Sequence, residues 1–302
     1  MIKDFLIADF RLRIEGENLG SAFGHFGRAL RIFEVPIERE AEVVLWFHPD
    51  RSEAPDFEAF QLLDEFDFPE VNAWCRLKKN EAGYLFTMTI PDQTPLWLYK
   101  AHGSAEVQCN LEACRDQADL PSLLRFGLWT MFGLAITPRH AIAIHSSTIT
   151  CAEGAALFLG ESGTGKSTHT GLWLEHIPGA QRLNDDSPII RMREGVATVY
   201  GSPWSGKSPC YKQERWPILG LVRLSQAPHN RMRRLGVIQA IGALLPSCPP
   251  SFAFDGELQD AICETLSEII NHAPVYHLEC LPDAAAAQLS HQTLKAYAAT
   301  RR

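Results

Sequence analysis

Residues 160–168 read Gly-Glu-Ser-Gly-Thr-Gly-Lys-Ser-Thr, a run whose residue types and spacing suit the wrapping of phosphate. Gly160, Glu161, Ser162, Gly163, Thr164, Gly165, Lys166 and Ser167 fit the pattern G-x-x-x-x-G-K-[ST], and Thr168 follows directly. In such a loop glycines let successive backbone N–H groups converge on phosphate oxygens, a lysine reaches the outer phosphates, and a hydroxyl beside it serves a magnesium ion. Lys166 and Ser167 stand in those two places. A helix starting just after the loop adds favourable dipole charge at its N-terminus. These residues imply binding of a nucleoside triphosphate.

The same pattern returns at 201–208, Gly-Ser-Pro-Trp-Ser-Gly-Lys-Ser. Pro203 has no N–H to offer a phosphate, and Pro209 and Pro217 leave little room for a long helix after Ser208. The second copy is therefore not a nucleotide site of its own. Ser205, Gly206 and Lys207 still supply donors and a positive charge on a loop, so Lys207 is a candidate for lining the first site. The alternative is a solvent-exposed turn.

Between the two copies comes Leu183-Asn-Asp-Asp-Ser187. Phosphoryl transfer to an alcohol needs a carboxylate to hold Mg²⁺ and a group to accept the hydroxyl proton. Asp185 and Asp186 are the candidates to divide those tasks, with Ser167 as a further metal ligand. An Asx turn or helix cap is the bland reading of Asp-Asp-Ser-Pro, and the glycine loop upstream favours catalysis over it.

The elements that must position these groups follow from pattern. Residues 1–105 alternate β-favouring runs, among them Glu42–Phe47 and Tyr84–Ile90, with turn-forming clusters, which predicts a strand-rich N-terminal half. Residues 121–137 are apolar nearly all round behind Pro121, the pattern of a buried connecting helix. A strand over 141–150, a turn at Glu153-Gly154, a strand over 155–159 and a helix over 166–176 flank the glycine loop. A hairpin is expected around Arg193-Glu-Gly195, a strand at 218–224, and helices at 256–272 and 282–298. The expected organisation is a β-rich domain over 1–120 and a nucleotide-binding domain over 121–302 that includes the connecting helix.

Composition narrows the partners. A formal net charge of -8 removes the broad basic surface that phosphate-backbone binding uses, so nucleic acid is not an expected partner. The eight cysteines form no Cys-x-x-Cys pair and no zinc-finger spacing, and are read as reduced thiols of a cytoplasmic protein. The longest uncharged apolar run, Phe126–Pro138, is shorter than the roughly 20 residues a spanning helix needs, so no membrane segment is expected.

Taken together, the glycine loop, Asp185-Asp186 and the segment Ile144-His145-Ser-Ser-Thr148 ahead of Leu157-Phe-Leu-Gly160 resemble the HPr kinase/phosphorylase and phosphoenolpyruvate carboxykinase superfamily. The resemblance covers about residues 140–210, and the 201–207 stretch is similar to one in HPr-kinase-related proteins. It implies an α/β fold with a P-loop nucleotide-binding core of that type, ATP and Mg²⁺ as cofactors, and transfer of the γ-phosphoryl group to a hydroxyl, most plausibly serine, of a protein, peptide or small metabolite. It also implies a phosphate-site role for His145, supports one for Lys207, and, through the hexameric HPr kinases, points to a homo-oligomer. The Arg-Gly-x-Gly signature that follows the acidic pair in HPr kinases is missing, so recognition of HPr and phosphorolysis are not implied. Two other readings share the loop: a carboxykinase-like enzyme acting on a small acid, which the short chain disfavours, and a non-catalytic ATP-binding regulatory module, which has no need of a proton acceptor.

Overall fold

The computed structural model describes residues 2–16, 19–37, 40–49, 54–206 and 209–299. The protein is mixed α/β, with two large mixed sheets and few helices among the described residues. It forms two compact units, Met1–Arg139 with Ser251–Gln259, and His140–Pro250 with Asp260–Arg302.

The first unit is built on β1 (Ile2–Ile7), β2 (Phe10–Glu15), β3 (Glu34–Val35), β4 (Val43–His48), β5 (Gln61–Phe68), β6 (Ala73–Lys79), β7 (Gly83–Thr89), β8 (Leu96–Ala101) and β9 (Glu106–Cys109). They lie in the order β3-β1-β2-β4-β9-β8-β7-β6-β5. Pairing is antiparallel except where β4 runs parallel to β2 and to β9. The strand-rich expectation overlooked one helix, α1 (Leu19–Arg31), whose glycines weaken its helical signal and which kinks at Gly24. The apolar helix α2 (Leu120–Ile136) packs on α1, β4, β7 and β8, so it belongs with this unit and the division of the chain falls after Arg139 rather than after residue 120. By length and composition the helical stretch Leu120–Arg139 could cross a membrane, a reach that the shorter run Phe126–Pro138 did not show, and most of it is buried.

The second unit opens with β10 (Ala141–Ala143), β11 (Ser146–Cys151) and β12 (Gly154–Leu159), followed by the glycine loop and α3 (Lys166–His176). Then come β13 (Gln181–Asp186), β14 (Ile189–Arg193), β15 (Val196–Tyr200), β16 (Arg215–Gln226), β17 (Arg231–Arg234), α4 (Val237–Leu244), α5 (Gly256–His272), β18 (Val275–Cys280) and α6 (Ala284–Ala299). The sheet runs β10-β14-β15-β16-β12-β11-β13, and β18 pairs with both β16 and β17. β12, β16 and β18 are mutually parallel across β16, an arrangement that long connections make possible where hairpins cannot. The single strand expected over 141–150 is two strands, because Ile144 N–H donates to Pro188 O and His145 N–H to Ser247 O instead of continuing one ladder. The hairpin around Arg193-Glu-Gly195 forms as expected: Arg193 pairs with Val196, and Glu194 and Gly195 both take positive φ, the geometry of a tight two-residue turn.

The core of this unit lies where α3 and α6 meet the sheet. Phe158, Trp173, Val222, Leu278 and Leu294 are buried together there. α3 touches α6, β11, β12 and β13, so the helix that starts at Lys166 is seated on the strand that carries the acidic pair.

Candidate functional site

The glycine loop leaves the end of β12 and enters α3 at Gly165, which takes φ +100 at the helix N-cap, a conformation that costs an L side chain energy and glycine nothing. Lys166 folds its ammonium back under the loop and donates to Gly160 O at 2.7 Å and Glu161 O at 3.1 Å. A cation is thus held across the arch that the loop makes. Thr164 Oγ1 donates to Glu161 O at 2.8 Å and tightens the turn. Ser162, Ser167 and Thr168 are exposed. Glu161 meets Arg223, which projects from β16 at the position paired with Leu159. Burial lowers the pKa of Lys166, against the opposing pull of Asp186 and Asp185, and Arg223 lowers it further.

The acidic pair occupies the last two positions of β13, with Ser146 opposite Asp186 and Ser147 opposite Asp185. Neighbouring strand residues send their side chains to opposite sides, and the two aspartates find different partners. Ser167 Oγ donates to Asp185 Oδ1 at 3.2 Å. Asp186 Oδ1 lies 3.2 Å from His145 Nδ1, and its Oδ2 accepts from Ser187 Oγ at 2.9 Å. Asp185 is buried, whereas the Asp186 side chain is 33% exposed and that of His145 49%. The break between β10 and β11 lets His145 leave the strand alternation and reach the end of β13.

The second glycine-rich segment packs on the same strand end. Ser205 bridges to Asp186, and Gly206 N–H donates to Asp185 O at 2.9 Å. A Cβ on Gly206 would stand 2.7 Å from that same carbonyl oxygen, so glycine is what permits the approach. Lys207 and Ser208 lie outside the described residues. Sequence reasoning missed Asn184. Its buried Nδ2 donates to Ser202 O and Trp204 O, while its Oδ1 accepts the N–H groups of Asp186 and Ser187. Asn184 therefore fixes the backbone of the acidic pair to the second loop, and Asn before Asp-Asp was the only signal of it. Arg223 was also missed, because its place beside the loop comes from the parallel pairing of β12 and β16.

Beside the loop opens a cleft of about 540 Å³, lined by Gly163, Thr168, Leu172, Leu224, Gln226 and Pro282 among others. It has the size of a small-molecule pocket. Gln226 Nε2 donates to Gly163 O at 3.2 Å and so braces one wall. The arrangement joins the N-terminus of a helix, a lysine, a hydroxyl–carboxylate pair and a second carboxylate with an imidazole partner. Compared with models of known protein families and with curated proteins, the chain matches none.

Proposed function

We propose that this protein is an ATP-dependent kinase with a P-loop core related to that of HPr kinases, acting in the cytoplasm on a hydroxyl of serine type in a protein, peptide or small metabolite. The observation that carries this reading is the hydrogen bond from Ser167 Oγ to Asp185 Oδ1, which joins the glycine loop to the acidic pair. The donor set suits a triphosphate with its metal ion. The Lys166 ammonium, now satisfied by loop carbonyls, sits where phosphate oxygens can replace them, and the loop N–H groups and the α3 N-terminus favour negative charge there.

ATP brings the phosphoryl group, and Mg²⁺ offsets the charge that gathers on it. Ser167 and Asp185 are the residues that would hold the metal, a hard cation that takes oxygen ligands. Lys166 and the loop backbone orient the phosphates, and the adjoining cleft accommodates the remainder of the nucleotide. Asp186 accepts the proton from the acceptor hydroxyl as that oxygen forms its bond to phosphorus, and ADP leaves with the electron pair of the broken bond. His145 holds Asp186 in place through its Nδ1.

The test is transfer of label from γ-labelled ATP into a lysate or a panel of serine-containing peptides. Wild type should label an acceptor, Lys166→Met should lose nucleotide binding, and Asp186→Asn should bind ATP normally while transferring at least 100-fold more slowly. Binding of ATP by wild type and by Asp186→Asn with no transfer to any acceptor would leave only a nucleotide-binding module.

A further inference from the structure

At the far end of β12 from the glycine loop, Cys151 pairs with Gly154 and the two-residue turn Ala152-Glu153 closes the β11–β12 hairpin. The turn faces α6. Cys151, Glu153 and His291 each present one ligand atom there, and these atoms lie within 4.8 Å of one another. The Cys151 side chain is buried, and those of Glu153 and His291 are 19% and 18% exposed. His291 Nε2 is 3.9 Å from Glu153 Oε2, and its ring stands edge-on to Trp173 with centroids 5.3 Å apart. Lys295, one turn further along α6, donates to Glu153 Oε1 at 2.9 Å.

We propose that Cys151, Glu153 and His291 form a site for a thiophilic divalent cation, Zn²⁺ being the one whose chemistry they match. Thiolate, imidazole and carboxylate are the three protein donors zinc uses, whereas Mg²⁺ and Ca²⁺ take oxygen. Three protein ligands leave a fourth tetrahedral position for water. Bonds of about 2.0–2.3 Å place neighbouring ligand atoms about 3.3–3.8 Å apart, so the triangle closes by about 1 Å. Side-chain rotation of Glu153 on its turn and of His291 on its helix supplies that movement, while the Trp173 edge limits the imidazole's orientation. On binding, the Cys151 S–H bond breaks, sulfur keeps the electron pair and donates it to zinc, and one proton leaves to solvent, so affinity rises with pH. Glu153 exchanges Lys295 for the metal, and the half-exposed ammonium of Lys295 passes to water.

The site is separate from the glycine loop. Five residue steps along β12 part them, about 17 Å of strand. Its effect is to tie α6 to the β11–β12 hairpin, and α6 in turn packs on α3. A clamp there braces the helix whose first residue is Lys166.

Cobalt separates this site from the magnesium-type site, since only a thiolate gives a sulfur-to-cobalt charge-transfer band. The full chain, freed of metal with a chelator, should take up one equivalent of Co²⁺ with that near-ultraviolet band and the visible bands of a four-coordinate ion. One equivalent of Zn²⁺ should abolish both, and excess Mg²⁺ should leave them. Cys151→Ser should lose the charge-transfer band. Glu153→Gln and His291→Gln, changes at partly exposed side chains, should keep the wild-type circular dichroism and weaken Zn²⁺ binding tenfold or more. A wild type without the thiolate band at one equivalent overturns the proposal, as does a band that survives in Cys151→Ser, or Zn²⁺ affinity unchanged in both glutamine variants.

Discussion

Asp186 and His145 meet at a strand end where the charges of Asp185 and Lys166 are also close, and the imidazole Nδ1 faces a carboxylate oxygen at 3.2 Å. A carboxylate that is to take a proton must be held within reach of the acceptor. Ser187 already engages Oδ2, so the two donors together fix the plane of the carboxylate. In the proposed mechanism His145 is thus a positioning residue. On the kinase reading, His145→Ala should lower kcat for phosphoryl transfer about 10- to 100-fold with KM for ATP unchanged, and His145→Gln, which keeps an N–H donor, should recover much of the loss. Steady-state kinetics of the three proteins decide it. A rise in KM with unchanged kcat, or no rescue by glutamine, would assign His145 to nucleotide binding or to folding.

At the scale of elements, α3 is held between β11 and α6. Its second turn meets β11 through Thr170 Oγ1 and Ser147 Oγ at 3.0 Å. Further along, Ser290 of α6 accepts from Trp173 Nε1 at 2.9 Å, lies 3.0 Å from His169 Nε2, and donates to Ala287 O. With its single proton spent on Ala287, the Ser290 hydroxyl must accept from His169 too, which fixes the Nε2–H tautomer, and burial pushes the His169 pKa down to about 4, keeping the ring neutral. Ser290→Ala should strand two buried donors at once and cost about 1–3 kcal/mol. Urea denaturation monitored by far-ultraviolet circular dichroism measures this. A loss below about 0.5 kcal/mol would mean that water replaces the hydroxyl. The bounds of α3 were readable in the sequence because Gly165-Lys-Ser sets the helix start locally. The meeting of Ser167 with Asp185 was not, because it depends on β13 pairing with β11, and strand pairing is written in no local pattern. Asp185 and Asp186 could be named as candidates from their type and the glycine loop upstream, yet their different partners follow from strand alternation and from the break at Ile144-His145. The helix α1 is amphipathic, but its glycines lower its helical propensity and mask it, and strands β17 and β18 take shape from what they pair with.

For the molecule as a whole, charge is unevenly invested. The chain has 36 acidic and 28 basic residues, so raising the pH adds to an existing negative excess and its self-repulsion. One buried group in the first unit opposes that trend. Lys100 on β8 is 9% exposed and donates to Ser104 O at 2.5 Å, and burial, with help from Arg139, lowers its pKa to about 8 from an ordinary 10.5. Between those two pH values the unfolded chain binds more proton at this site than the folded one, so its contribution to stability rises with pH. Below pH 8 the site carries a constant cost for burying an ammonium. Lys100→Met should therefore stabilise the first unit at pH 7 by roughly 1–2 kcal/mol, less than the full shift because solvent still screens the ammonium in part. The gain should shrink as pH climbs from 8 to 10.5. Native-state hydrogen exchange at the amides of β7, β8 and β9, compared between wild type and variant across that range, isolates this term from the general repulsion, which both proteins share. A destabilised variant at pH 7, or a difference that stays constant to pH 10.5, would show that the hydrogen bond to Ser104 outweighs the cost of the buried charge.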